Sequence, residues 1–191
     1  MSDFHDLAQA FAYPETNDYM HRAKQFRELS EMLVPGWFEW HEWTNKIVEA
    51  CCRRRWIAAA GCSGSAKTRN FGGFACSWWL ADPPNSSVIL CSTTMKMLRK
   101  RAWAEVQNYH DTVEKLHGGF GNFVNSQTVW QNEQGDDKHA IFGIAVAEGN
   151  VNDAAANIQG IHTKRQMVII DEAEAVPGAI WQAAANLWAY P

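Results

Sequence analysis

Apolar residues recur at helical spacing through the N-terminal part of the chain. Met20, Ala23, Phe26, Leu29, Met32 and Leu33 predict a helix that follows a polar leader within residues 1–35. Pro35-Gly36 breaks it. Trp37, Trp40 and Trp43 form a stripe that Ile47 and Val48 continue, so residues 37–52 predict a second helix. The pattern then changes. Residues 56–60 are a short continuous apolar run, as in a buried strand, and 67–80 read as a helix ended by Asp82-Pro83-Pro84-Asn85. Residues 87–92 predict a second strand, Thr93-Thr94 leads into a helix reaching about Leu116, and Gly118-Gly119 breaks that helix. Residues 125–131 and 139–146 predict the strands of a hairpin around the polar turn 132–138. A polar connection over 148–162 holds a short helix at 151–158; residues 167–170 predict another buried strand, and 177–188 a final helix.

Alternation of strands and helices after residue 53 predicts an α/β fold with a central, mostly parallel sheet flanked by helices. Residues 53–191 would form this core, with 1–52 as an N-terminal helical appendage packed on one side. A length of 191 residues suits one domain, and 47% hydrophobic residues supply a substantial core.

Composition narrows the function little. The net charge of −4, from 17 basic and 21 acidic side chains, gives no reason to expect a nucleic-acid surface over the whole chain. Any such surface would have to be local. Cys51, Cys52, Cys62, Cys76 and Cys91 are odd in number and lack C-x-x-C spacing, which predicts reduced, mostly buried thiols. Nothing near Met1 resembles a signal peptide, and no apolar run approaches the roughly 20 residues that span a bilayer. The chain is expected to be soluble and cytoplasmic, with no membrane partner.

The chemistry concentrates in two places. Gly61-Cys62-Ser63-Gly64-Ser65-Ala66-Lys67-Thr68 lies between the run 56–60 and the helix 67–80, the strand–loop–helix context of a phosphate-binding P-loop. Backbone N–H groups there would converge on phosphates at a helix N-terminus, Lys67 would reach the terminal phosphates, and the Thr68 hydroxyl would hold magnesium. The usual pattern has glycine before the lysine, where this chain has Ala66. If that position needs a positive φ, alanine costs about 1–2 kcal/mol. The plainer alternative is a Gly-Ser loop capping a helix. About a hundred residues on, Asp171-Glu172 follows the strand 167–170. A carboxylate at a strand's C-terminal tip sits where open α/β sheets bind ligands. Asp171 would contact magnesium and Glu172 would polarise water. Alternatively, the acids begin a helix.

Other features carry weaker readings. Arg53-Arg54-Arg55 and the cluster Lys96, Arg99, Lys100 and Arg101 could meet DNA phosphates, or be solvated basic faces. Arg99 or Arg101 could also act as an arginine finger on a neighbouring subunit's nucleotide. The tryptophan stripe could stack an adenine ring but suits a core better. His41 and His162 are expected to be structural, the histidines show no metal-site spacing, and Cys62 needs no role of its own.

With these residues in view, the chain resembles the N-terminal ATPase domain of a tailed-phage terminase large subunit, a RecA-like P-loop NTPase. The resemblance rests on the loop from Gly61 to Thr68 and on Ser92-Thr93-Thr94 after a strand. It rests also on Asn157-Ile158-Gln159-Gly160-Ile161-His162 and on Met167-Val168-Ile169-Ile170-Asp171-Glu172-Ala173 with Val176-Pro177. It spans about residues 35–191. It implies ATP and Mg2+ as cofactors, with the Gly61–Thr68 loop and Lys67 on the nucleotide, Thr68 and Asp171 on the metal, and Glu172 as the catalytic carboxylate. The implied activity is ATP hydrolysis that drives double-stranded DNA into a capsid in the host cytoplasm. The implied partners are the portal, the small terminase subunit and further copies of the chain in a ring. The family's glutamine-type adenine motif has no glutamine here; Trp40-His41-Glu42-Trp43 falls at its place. A coupling motif on a further strand and a nuclease domain are not in the sequence, so an N-terminal piece of a longer protein is expected, with a gap beside the Asp171 strand. Two other readings stay open. One is the first RecA-like half of a superfamily-two helicase, for which Asp171-Glu172-Ala173-Glu174 would be the D-E-x-x box. The other is a nucleotide-binding scaffold without turnover.

Overall fold

A computed structural model describes residues 2–62, 64–146 and 151–187. They form two units, Met1–Asp82 with Tyr109–Gly119, and Pro83–Asn108 with Phe120–Pro191.

The first unit is helical. The leader is not merely polar: it forms α1 (Ser2–Ala12), whose Ala8 and Phe11 are buried. Asp18 then starts α2 (Tyr19–Leu33) by accepting the Met20 and His21 N–H groups at 2.9 and 3.4 Å, which satisfies two of the donors a helix start leaves open. Phe26, Leu29 and Leu33 line its buried face, while Met20 and Met32 are exposed. The expected helix over 37–52 starts later. Gly36 takes φ +73, Trp37 and Phe38 turn into the core as irregular chain, and α3 begins only at Glu42, running to Arg53. Phe26 is the centre of this packing, 5.5 Å from Phe11, 5.5 Å from Phe38 and 4.5 Å from Phe74 between ring centroids. Such pairs contribute beyond the area they bury. Phe74 belongs to α4 (Lys67–Leu80), whose bounds match the sequence reading. Gly73 on α4 is a place of close approach: a Cβ there would lie 2.2 Å from the Trp37 Nε1.

One expectation fails in this unit. Residues 56–60 form no strand and are not buried; Trp56 is 53% and Ile57 38% exposed. Apolar composition suits a segment to burial, but a strand also needs a neighbour to complete its ladder. The five-stranded sheet does not include this segment.

The second unit holds that sheet, in the order β2-β3-β4-β1-β5. β1 (Ser86–Ser92) is buried along its whole length, between β4 (Ala140–Ala145) and β5 (Arg165–Ile170), both parallel to it. β2 (Asn122–Val124) and β3 (Val129–Gln131) add an antiparallel edge, β3 pairing with β4. The sheet is therefore mixed rather than mostly parallel. The hairpin expected over 125–146 is present as β3 and β4, but its first strand is shorter. Asn125–Gln127 is a 3-10 turn ending in a left-handed Thr128, and β2 comes before it. The helix expected after Thr94 is two, α5 (Met95–Lys100) and α6 (Ala102–His117), interrupted at Arg101 where φ is −119 and ψ −91. Gly118, at φ +82, ends α6.

Helices cover both sheet faces. On one, Ile89, Cys91, Ile144, Val168 and Ile170 pack with Ala154 and Ile158 of α7 (Val151–Gln159) and Ile180 and Ala183 of α8 (Gly178–Asn186). On the other lies α5, whose Leu98 fits over Gly143, where a Cβ would stand 2.4 Å from Leu98 Cδ2. The start of the 148–162 connection and the end of the helix expected to reach Trp188 lie outside the described residues. Among the described residues no helix is long and apolar enough to cross a membrane.

Candidate functional site

The two sequence motifs fall one in each unit. In the first, the loop Gly61 to Ala66 leads into α4, with Lys67 as the first helical residue and Ser63 outside the described residues. The Lys67 ammonium folds back over the loop. It donates to the Gly61 carbonyl, to the Cys62 carbonyl at 3.0 Å and to Ser65 Oγ at 3.1 Å. Gly64 takes φ +80, with open space where a Cβ would be. Ala66 takes φ 56 and ψ 19, so the missing glycine is felt: the left-handed conformation that alanine resists is the one adopted. No side chain caps α4 at Ala66. The N–H groups of the first turn lie at the partial positive end of the helix, which suits an anion. Thr68 is half-buried in that first turn.

Tryptophans hold this loop. The Trp43 indole N–H donates to the Ser65 carbonyl at 3.1 Å, and the Trp37 indole N–H to the Arg69 carbonyl at 3.4 Å. Arg69 returns two bonds to the Trp37 carbonyl, at 3.1 and 3.3 Å, with its guanidinium 4.3 Å from the Trp37 ring. Trp40 stacks on Phe38 at 5.1 Å, lies under the Arg27 guanidinium and donates to Glu31. The stripe is thus occupied in bracing loop and core. Sequence reasoning missed Arg69 as part of this brace; the available signal was that buried indole N–H groups require acceptors. His41 caps α3, as its structural reading required, and His162 is exposed. His110, Asp111 and Glu114 on α6 bring ligand atoms within 4.8 Å of one another, a grouping that the histidine spacing did not reveal.

In the second unit, Asp171 follows the last residue of β5. Its N–H donates to the Cys91 carbonyl at 2.9 Å, continuing the pairing of Cys91 with Ile170. Asp171 therefore follows in register beside Ser92, at the tips of adjacent parallel strands. Ser92 Oγ and Asp171 Oδ2 are both buried without a hydrogen-bond partner among the described residues. Such orphaned oxygens each cost about 1–3 kcal/mol. Burial pushes the Asp171 carboxyl above the ordinary carboxylate range and Glu172 adds to this, while the Arg101 charge opposes it. An oxygen-preferring cation such as Mg2+, which keeps several waters and takes one or two carboxylates, fits this donor set.

Glu172 stands in the left-handed region at φ 56 and ψ 47, before the 3-10 turn Ala173–Ala175. Its Oε1 is paired with Arg101 Nη1. Arg99 donates instead to the Ser126 carbonyl at 2.9 Å. Thr94 caps α5, its Oγ1 accepting from Met97 N–H at 3.2 Å. Lys96, Lys100 and Arg53, Arg54 and Arg55 are exposed. What stands out is the set of groups left strained or, among the described residues, without a hydrogen-bond partner: Ala66 and Glu172, and Ser92 and Asp171. Comparison with protein-family models, curated proteins and solved structures finds no match to this chain.

Proposed function

We propose that this chain binds ATP with Mg2+ and hydrolyses it, as the ATPase motor domain of a viral DNA-packaging terminase large subunit acting on double-stranded DNA. The observation that carries the reading is the uncapped N-terminus of α4, entered through left-handed Gly64 and Ala66, with the Lys67 ammonium held over the loop. A polyphosphate would exchange loop carbonyls for its own oxygens around that ammonium and accept from N–H groups of the first turn. The orphaned Asp171 oxygen supports a metal role, and Glu172 supplies a carboxylate beside it. Mg2+ would neutralise charge on the phosphates; the chain's part is to hold them, place the metal and orient water.

Steady-state ATP hydrolysis with and without double-stranded DNA tests this. Hydrolysis that DNA stimulates, and that Glu172→Gln abolishes, supports the motor reading; a Glu172→Gln rate equal to wild type overturns the assigned chemistry. Strand separation on a forked duplex would point to the helicase instead. The scaffold reading draws on the strained Ala66 and on the absence of a strand at 56–60. Tight ATP binding without turnover would decide for it.

A further inference from the structure

One indole reaches the phosphate loop from the helix before it. Trp43 is the second residue of α3, whose start is fixed by His41, accepting from the Thr44 N–H, and by the burial of Thr44. From there the half-buried indole donates to the Ser65 carbonyl at 3.1 Å, across 22 positions of sequence. Lys67 holds the same residue through its side chain, at Ser65 Oγ.

The consequence falls on the next N–H. In a trans peptide the carbonyl and the N–H point in opposite directions. Fastening the Ser65 carbonyl to Trp43 therefore turns the Ala66 N–H away from that indole. Ala66 is left-handed and Lys67 is the first helical residue. Such a pair in succession gathers its N–H groups into one anion-holding hollow. Alanine resists its half of this arrangement, so a bond on the peptide before it helps to keep the hollow formed. Resting on the phosphate-binding reading of the loop, we propose that Trp43 is a positioning residue: its indole N–H holds the Ser65–Ala66 peptide so that the Ala66 N–H faces the phosphates. The role passes through the main chain and requires no contact between the ring and a base. Affinity for polyphosphate then depends on a donor aimed at the protein's own carbonyl.

Inorganic tripolyphosphate without Mg2+ is the probe, so that no metal bound at Asp171 contributes. Titrated into the full chain, it should shift the Trp43 indole Nε1–H resonance, assigned by its loss in Trp43→Phe. The Trp40 indole, which donates to Glu31 instead, should stay in place. Trp43→Phe keeps a ring and removes the donor; it should weaken tripolyphosphate about three- to ten-fold, the range that one hydrogen bond commands. Trp40→Phe loses the same kind of donor away from the loop and should bind as wild type does. A Trp43 resonance that tripolyphosphate does not move, or a Trp43→Phe affinity equal to wild type, overturns the positioning role. If Trp43→Phe fails to fold, the wild-type resonance decides. If wild type shows no Lys67-dependent tripolyphosphate binding, the phosphate-loop reading fails and takes the Trp43 role with it; if that binding is present and Trp43→Phe keeps it in full, only the Trp43 role fails.

Discussion

Ala66→Gly should make the protein more stable, contrary to the usual cost of adding glycine. Ala66 is held at φ 56 and ψ 19, where a Cβ meets the following carbonyl. Relief of that contact is worth about 1–2 kcal/mol. Against it, glycine widens the unfolded ensemble by about 0.4–1 kcal/mol. The net expectation is a gain of about 0.5–1 kcal/mol, or roughly 1–4 °C in melting temperature for a chain of this size. Urea unfolding followed by tryptophan fluorescence reads it, since Trp43 is bonded to the loop through Ser65. Ala23→Gly in the middle of α2 is the control, because Ala23 is helical and glycine there should cost about 0.5–1 kcal/mol. If Ala66→Gly lowered stability as much as Ala23→Gly does, position 66 would not be left-handed in solution, and the account of the loop would fail.

Three further outcomes are expected. Gly73→Ala should destabilise by about 1–3 kcal/mol in the same unfolding assay, because the new methyl would stand 2.2 Å from Trp37 Nε1. Of the cysteines, exposed Cys62 should react first with a thiol reagent and be shielded by ATP; buried Cys91, its thiol pushed up to about 12 by burial, should react only on unfolding. Asp171→Asn should abolish Mg2+-dependent hydrolysis while leaving stability unchanged or raising it by up to about 1 kcal/mol at neutral pH, because it removes a carboxylate that burial disfavours. The sign of its pH dependence follows. A raised folded pKa means that the folded state holds the proton more tightly, so the contribution of Asp171 is complete below the unfolded value near 3.8 and is lost as pH rises through the folded value. Any advantage of Asp171→Asn at pH 7 should therefore shrink in acid.

Local signals in the sequence were dependable where one force set the outcome. α4 ends at Leu80 ahead of Asp82-Pro83-Pro84 because helix breaking is local, and the β-branched runs of β1 and β5 form strands because each supplies the other's ladder partner. Elsewhere the pattern misled. Residues 56–60 have the composition of a buried strand but no ladder, and the tryptophan stripe reads as a helix although Trp37 lies in irregular chain, packed edge-on against Tyr109 and braced by Arg69. The site was legible as residue types: a lysine after a Gly-Ser loop and two acids after a strand. Its state was not. That Ala66 and Glu172 are left-handed, that Asp171 and Ser92 have orphaned oxygens, and that Arg101 holds Glu172 are consequences of three-dimensional placement.

The proposed function assigns nucleotide phosphates to the Lys67 loop and Mg2+ to the Asp171 carboxylate. Equilibrium binding of ATP to wild type, Lys67→Ala and Asp171→Ala, each with and without Mg2+, tests it most directly. Lys67→Ala should weaken binding under both conditions, whereas Asp171→Ala should abolish only the increment that Mg2+ adds. Wild-type affinity for the magnesium nucleotide in either variant would contradict the account.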